Sequence, residues 1–473
     1  MRYDKFFMLI VLVCCAVSTA SSAEITLFKP NFFIFAKDGQ PFYPHTLNVS
    51  VLMKPEVRLD QIDPFLTTAA GQGFNSIRVV IDDAFPPDAP LDKFEEKDGS
   101  LNQYMTDRLD AIFRSARSNQ LHVILSMFDI QTLSQYWETS PYNRKNGGTC
   151  ESLIDYFSRN DTLLRASRRV AQLVKRYQKE NILAWEIARG LNVWETYKGL
   201  SYQPAQDYAE RTRFWLVRMH NEIRRQEEAK HLIALCYLPN TLPLTLMDDP
   251  LVDINFLQIF SSKTPWQATV PIPQFMKIAR QSRKPVYLAQ AFWQGDMNLR
   301  NEFMHNQYWA ALAAGSGFFL SAVLNGSQPV VPDHDHQLLI NGYRFLANVD
   351  LKGHPRPPAD PTIDILMAEN YLVVESLVGN DWLFWILRKN PGVSEFARMN
   401  FATIEGEYEY YWLNLEEDQE SMKQFINKRK VVSLQSPPFG HDIIGRLRCS
   451  VPYRSKPREQ QSKQENQPMT TPE

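Results

Sequence analysis

The feature that most constrains the fold is a repeated alternation. From residue 41 to about 350, apolar runs of strand length are each followed by a stretch with helical spacing. PFYPHTLNVSV (41–51) leads into an amphipathic stretch from Pro64 to Gln72. FNSIRVVI (74–81) leads, after a Pro-rich loop, into YMTDRLDAIFRSARSN (104–119), whose Met105, Leu109, Ile112, Phe113 and Ala116 share one face. LHVILSMF (121–128), a long loop and TLLRASRRVAQLVKRYQ (162–178) follow, then NILAWEI (181–187) and the helix RTRFWLVRMHNEIRRQ (211–226). HLIALCYL (231–238), VDINFLQIF (252–260), KPVYLAQAF (284–292) and GSGFFLSAV (315–323) bring the strands to eight, and NEFMHNQYWAALAAG (301–315) separates the last two. Eight β-then-α units with continuous apolar strands predict an α/β fold, a parallel (β/α)8 TIM barrel. No glycine-rich phosphate loop follows the first strand, which argues against a doubly wound sheet.

A chain of 473 residues exceeds one ordinary core, and the pattern changes where a second domain is expected. LKGHPRPPADPT (351–362) is a Pro-rich linker. The runs YLVVESLVG, WLFWILRK, ARMNFATIE, YEYYWLNL and VVSLQSP then carry strand composition between turn signals, which reads as a small C-terminal antiparallel β-sandwich over 351–453. The last twenty residues, 454–473, are polar and without aromatics, and are expected to be disordered. At the other end, Arg2 and Lys5 precede the apolar run Phe6–Val17 and the small residues Ser18–Ala23. That is the pattern of a signal peptide over 1–23, too short to span a bilayer, so a secreted protein with no stable membrane anchor is expected and the barrel begins at 24. The net charge of −2 gives no footprint for nucleic acid. After Cys14 and Cys15 leave with the signal, Cys150, Cys236 and Cys449 allow at most one disulfide. Sequons stand at Asn48, Asn160 and Asn325, a number that chance alone supplies in this length.

In such a barrel, chemistry sits at the C-terminal strand ends, and there the residues resemble a family. FNSIRVV with Arg78, DRLDAIFRSARSNQLHVIL, the run SPYNRKNGG…NILAWEI, KPVYLAQAF and, far downstream, SPPFGHDIIGRL together resemble the retaining glycosidases of clan A, especially the family 5 cellulases and mannanases. The resemblance implies two carboxyl groups about 5–5.5 Å apart, one an acid/base and the other a nucleophile. The family's acid/base closes a W-E-x-x-N-E pattern. Here Trp185-Glu186-Ile187-Ala188 fits, and Arg189 and Gly190 then stand where Asn and Glu are expected. The nucleophile closes K-P-V-x-x-x-E. Lys284-Pro285-Val286 fits and Gln290 replaces the Glu. Gln258 stands where the sixth strand usually brings a His, and Ser321 where the eighth brings a Trp.

No residue is therefore assigned as catalytic: Gly190 holds the acid/base position and Gln290 the nucleophile position, with Glu195, five residues beyond Gly190, as the fallback carboxylate. Arg78, Trp137, Arg189, Gln258, Gln290 and Trp293 are the binding candidates, with Trp194 and Trp266 as further aromatics on rim loops. Asp129, Glu138 and Asp296 are read as solvated loop residues, Glu186 as a barrel support, and His45 as a hydrogen-bonded scaffold residue. His334-Asp335-His336 is read as a polar loop, and neither a metal nor a cofactor is expected. Three readings stay open: a degenerate glycosidase that binds an oligo- or polysaccharide, or a protein partner, through the former cleft; an active retaining β-glycosidase with relocated carboxylates; and a structural extracellular protein without sugar affinity. If the cleft is otherwise intact, Gly190→Glu with Gln290→Glu is expected to regain weak hydrolysis.

Overall fold

In the computed structural model the described residues are 25–27, 35–81, 94–96, 98–192, 202–238, 244–261, 264–269, 271–272, 284–293, 296–347, 349, 355–356, 363–365, 370–378, 381–390, 396–403, 405–415, 419–427 and 431–452. All eight expected barrel strands are present and parallel. They are Thr46–Asn48, Ser76–Val80, His122–Asp129, Ile182–Arg189, Leu232–Tyr237, Ile254–Ser261, Val286–Trp293 and a last strand in two halves, Gly317–Phe318 and Leu320–Ser321. The first half pairs with the seventh strand (Tyr287 opposite Gly317) and the second with the first strand (Ser321 opposite Asn48). One segment thus closes the ring.

The strands form because both faces are covered. His122–Asp129 and Leu232–Tyr237 are buried at every position, the continuous-run signature of a parallel sheet sheathed by helices. The helix Asn160–Tyr177 shows the complementary logic: Leu163, Ala166, Val170, Leu173, Val174 and Tyr177 recur at spacings of three or four and are buried. Helix Gln103–Ser118 starts where the Asn102 side chain accepts a hydrogen bond from the Met105 amide. The helix expected from Pro64 begins earlier, at Leu59. Pro64 lies inside it rather than opening it, because the Arg58–Gln61 exchange of side-chain and backbone bonds already caps the helix.

Inside the ring Ile124, Ala184, Ala234, Ile254, Phe256, Tyr287 and Phe319 make one apolar cluster. A three-stranded sheet that the sequence pattern did not reveal, Ile25–Leu27, Phe35–Lys37 and Gln40–Phe42, adds Ile25 and Phe35 to that cluster, and Phe35 stacks on Tyr287 at 5.5 Å. Toward the C-terminal strand ends the barrel turns polar: Asn48 stands opposite Arg78, Ser126 opposite Glu186, and Gln258 opposite Gln290. His334-Asp335-His336 is not a loop. These residues open the helix Asp333–Leu346, where buried Asp335 takes a two-point ion pair from Arg300 (2.9 and 3.2 Å).

The chain divides into two compact units, with the main break between Pro357 and Pro358. C-terminal to the barrel are a six-stranded sheet, in the order Pro355–Arg356, Tyr371–Val378, Asp381–Arg388, Asp442–Pro452, Gly406–Asn414 and Gln419–Asn427, and a three-stranded antiparallel sheet of Ile363–Ile365, Arg398–Ala402 and Val431–Gln435. The strand Gln419–Asn427 carries no alternation that marks it from sequence. It is an edge strand, with Met422 and Lys423 exposed. Among the described residues no helix is long and apolar enough to cross a membrane.

Candidate functional site

The third, fourth, sixth and seventh strands deliver their last residues to one rim. The fourth ends at Arg189, and Gly190 follows with φ at +68°, its N–H donating to the Cys236 carbonyl at 2.8 Å. A Cβ built on Gly190 would lie 2.8 Å from Gln131 Cβ and 3.3 Å from Gln131 N. The position therefore lacks more than a carboxyl group. Its backbone occupies a conformation costly for any L side chain, and its space is taken by Gln131, two residues beyond the third strand. This corrects the expectation that Gly190→Glu would simply refill the acid/base place.

On the seventh strand the register with the sixth shifts between Leu288 and Gln290, which sets Gln290 opposite Gln258. The Gln290 amide oxygen accepts two long hydrogen bonds, from Arg189 Nη1 at 3.5 Å and from Gln258 Nε2 at 3.3 Å. Both glutamines are buried, Gln258 completely. Among the described residues, the amide oxygen of Gln258 and the Asn48 amide nitrogen, also buried, have no hydrogen-bond partner. Three groups that sequence reasoning scattered over separate strands thus form one contact: Arg189, Gln258 and Gln290.

Arg189 does not leave an uncompensated charge beside the cleft. Its Nε lies 3.1 Å from Asp129 Oδ1, and its Nη2 donates to Gln131 Oε1 at 3.4 Å. Asp129 is 1% exposed, which corrects its reading as a solvated loop residue. Besides holding Arg189, its carboxylate caps the short helix Ile130–Gln135, accepting from the Thr132 amide (3.1 Å) and hydroxyl (2.6 Å). The partnership was invisible in the sequence because it depends on strand register: Asp129 lies directly opposite Arg189. Gln131 and the place of Asn48 in this layer were likewise missed: Gln131 belongs to no motif, and the sequon that marks Asn48 says nothing of a cleft.

Below this layer Arg78 and Glu186 form a fork-to-fork pair, Nε to Oε2 and Nη2 to Oε1 both at 2.6 Å, with neither side chain exposed. Ser126 Oγ donates to the same carboxylate at 3.0 Å. Burial works against the Arg78 charge, and Glu186 more than restores it, so its pKa stands above the ordinary arginine value. Cys236 lies in the same electrostatic surroundings. Burial pushes its thiol well above the usual range, which removes it as a nucleophile. Cys150, Cys236 and Cys449 are all unpaired.

The remaining candidates are dispersed. Trp137 is half-buried on the turn Trp137–Thr139, and Trp266 is half-buried in the helix Pro265–Thr269. Glu138 is exposed and pairs with Lys145 at 2.6 Å, and Asp296 caps the turn Met297–Leu299 from an exposed position. Trp293 ends the seventh strand, but its side chain, like Trp194 and Glu195 altogether, lies outside the described residues. His45 is held as a scaffold residue: its backbone N–H donates to Asn75 Oδ1 at 2.8 Å, and its ring stacks on Tyr343 with centroids 3.6 Å apart. A groove of about 630 Å³ between the helix Leu59–Gly71 and the hairpin Val323–Val330 includes none of the rim residues.

No family model matches the sequence, and no curated protein does. Solved structures do. A glycoside hydrolase is similar at a TM-score of 0.63 and 14% identity, over 91% of this chain and 98% of that one. A glycoside hydrolase family 5 structure from Bacteroides vulgatus is similar at a TM-score of 0.62 and 14% identity, over 90% of this chain and 94% of that one. At this identity the likeness establishes a shared fold: a (β/α)8 barrel like that of the family 5 structure, followed by antiparallel sheets.

Proposed function

We propose that this chain is a secreted glycosidase-like protein that has exchanged hydrolysis for recognition and binds a glycan through the former cleft. One observation carries the reading: the two positions that motif spacing assigns to the acid/base and the nucleophile hold a glycine in a left-handed conformation and an amide hydrogen-bonded to Arg189 and Gln258. A glycine has no proton to give a leaving oxygen, and an amide is a poor nucleophile toward an anomeric carbon. Substitution by neighbours is opposed by their commitments. Among the described rim residues Glu186 is tied to Arg78, and Asp129 to Arg189 and Thr132.

The recognition half is supported by what the same layer leaves unused. Gln258 Oε1 offers an acceptor and Asn48 Nδ2 a donor without partners among the described residues, and buried amides are groups that read sugar hydroxyls. Secretion belongs to the proposal on the strength of residues 1–23. The test is a thermal-shift and calorimetric titration of the chain with β-linked gluco- and manno-oligosaccharides. The expected result is stabilisation without sugar release, lost in Gln290→Ala. An unfolding midpoint unmoved by every oligosaccharide would overturn the recognition half.

A further inference from the structure

We propose that Asn325 is an acceptor for N-linked glycosylation and that the Asn48 sequon is not. The fold sorts the two although their sequences are equally suitable. Asn325, Gly326 and Ser327 are all exposed, at the tip of the two-stranded hairpin Val323–Asn325 and Gln328–Val330. Gly326 turns the chain with φ at +63°, and a Cβ there would meet nothing within 4 Å. Neither the Asn325 amide nor the Ser327 hydroxyl engages another described residue, so both are available for the turn that activates the amide nitrogen.

The Asn48 sequon is the opposite case. Asn48 is 3% exposed inside the barrel ring. Its Oδ1 accepts from the Ser50 hydroxyl at 2.8 Å, and that hydroxyl in turn accepts from the Val80 amide at 3.1 Å. A glycan on Asn48 would have to pass between strands that are paired on both sides of it, to Arg78 and to Ser321. A chain so modified could not close the barrel.

The reaction joins the Asn325 side-chain nitrogen to the anomeric carbon of a lipid-pyrophosphate-linked oligosaccharide. The C–O bond to the pyrophosphate breaks, the lipid pyrophosphate leaves with that electron pair, and the amide proton passes to the transferase. The hairpin directly follows the eighth strand, so the glycan would be placed just beyond the strand end that carries Ser321.

The inference needs entry into a glycosylating secretory pathway, which the proposed signal supplies, so the test separates the two. The full chain is expressed in an insect or human cell line twice, behind its own N-terminus and behind an unrelated secretion leader. Peptides of the secreted protein are mapped before and after digestion with a peptide N-glycosidase. Asn325 is expected to be occupied and Asn48 empty. Asn325→Gln and Ser327→Ala should each remove one glycan from the gel mobility, and Ser327→Thr should keep it. An unmodified Asn325 in protein secreted through the unrelated leader, or a glycan on Asn48 of folded protein, would overturn the proposal. Retention behind the native N-terminus alone would count against the signal and leave this reading to the second arm.

Discussion

At Gly190 the missing acid and the backbone that excludes it are one fact. A left-handed φ costs a non-glycine residue about 1–2 kcal/mol, and the 2.8 Å approach to Gln131 Cβ adds to it. Gly190→Ala should therefore lower unfolding free energy by at least that amount in a denaturant titration. Gly190→Glu with Gln290→Glu should stay inert, in contrast to what the sequence pattern alone suggests. The Arg78–Glu186 pair makes a second prediction at this scale. Removing one partner strands a buried charge, so Arg78→Met alone should cost roughly 3–5 kcal/mol. Combining it with Glu186→Leu should recover most of that loss, because the charges leave together. A ligand-binding role for Arg78 would instead show as lost binding in the stable double variant.

Among the elements, the eighth strand is tightly fitted at its start. A Cβ on Gly317 would fall 2.1 Å from a Tyr287 ring carbon, and Tyr287 is in contact with Phe35 and Phe319. Gly317→Ala should shift the unfolding midpoint downward, by about 1–3 kcal/mol of stability, while the same change at exposed Gly39, which meets nothing within 4 Å, tests only its positive φ. Legibility in the sequence divides along the same lines. All eight barrel strands could be read because burial on both faces forces continuous apolar runs, and helices such as Asn160–Tyr177 because one buried face forces a period. The short strands near the N-terminus and the polar edge strand Gln419–Asn427 escaped because neither constraint applies to them. At the rim, motif spacing located Gly190, Arg189 and Gln290, but the Asp129–Arg189 contact required the register of two strands separated by sixty residues of chain.

On the scale of the whole molecule, acid is the condition that should reveal the cost of burying neutral histidines. Burial lowers the His45 pKa to about 3, and burial with Lys37 nearby lowers His122 to about 4. Both ring nitrogens of His122 lack hydrogen-bond partners among the described residues. Unfolded, each histidine takes up a proton near its ordinary value of 6.5, so the unfolded chain binds more protons than the folded one below that pH. Stability should be fully present above about pH 6.5 and fall as the pH drops toward 4, at up to about 1.4 kcal/mol per unit for each group. His122→Phe should flatten that slope in melts recorded at pH 7 and pH 5. The most direct measurement of the account is a turnover assay of the chain, signal removed, on activated aryl β-glycosides and on β-glucan and mannan oligosaccharides. Release at the buffer rate is expected. Release above buffer that disappears in Glu195→Gln would contradict it, because a carboxylate would then be working beside Gly190 after all.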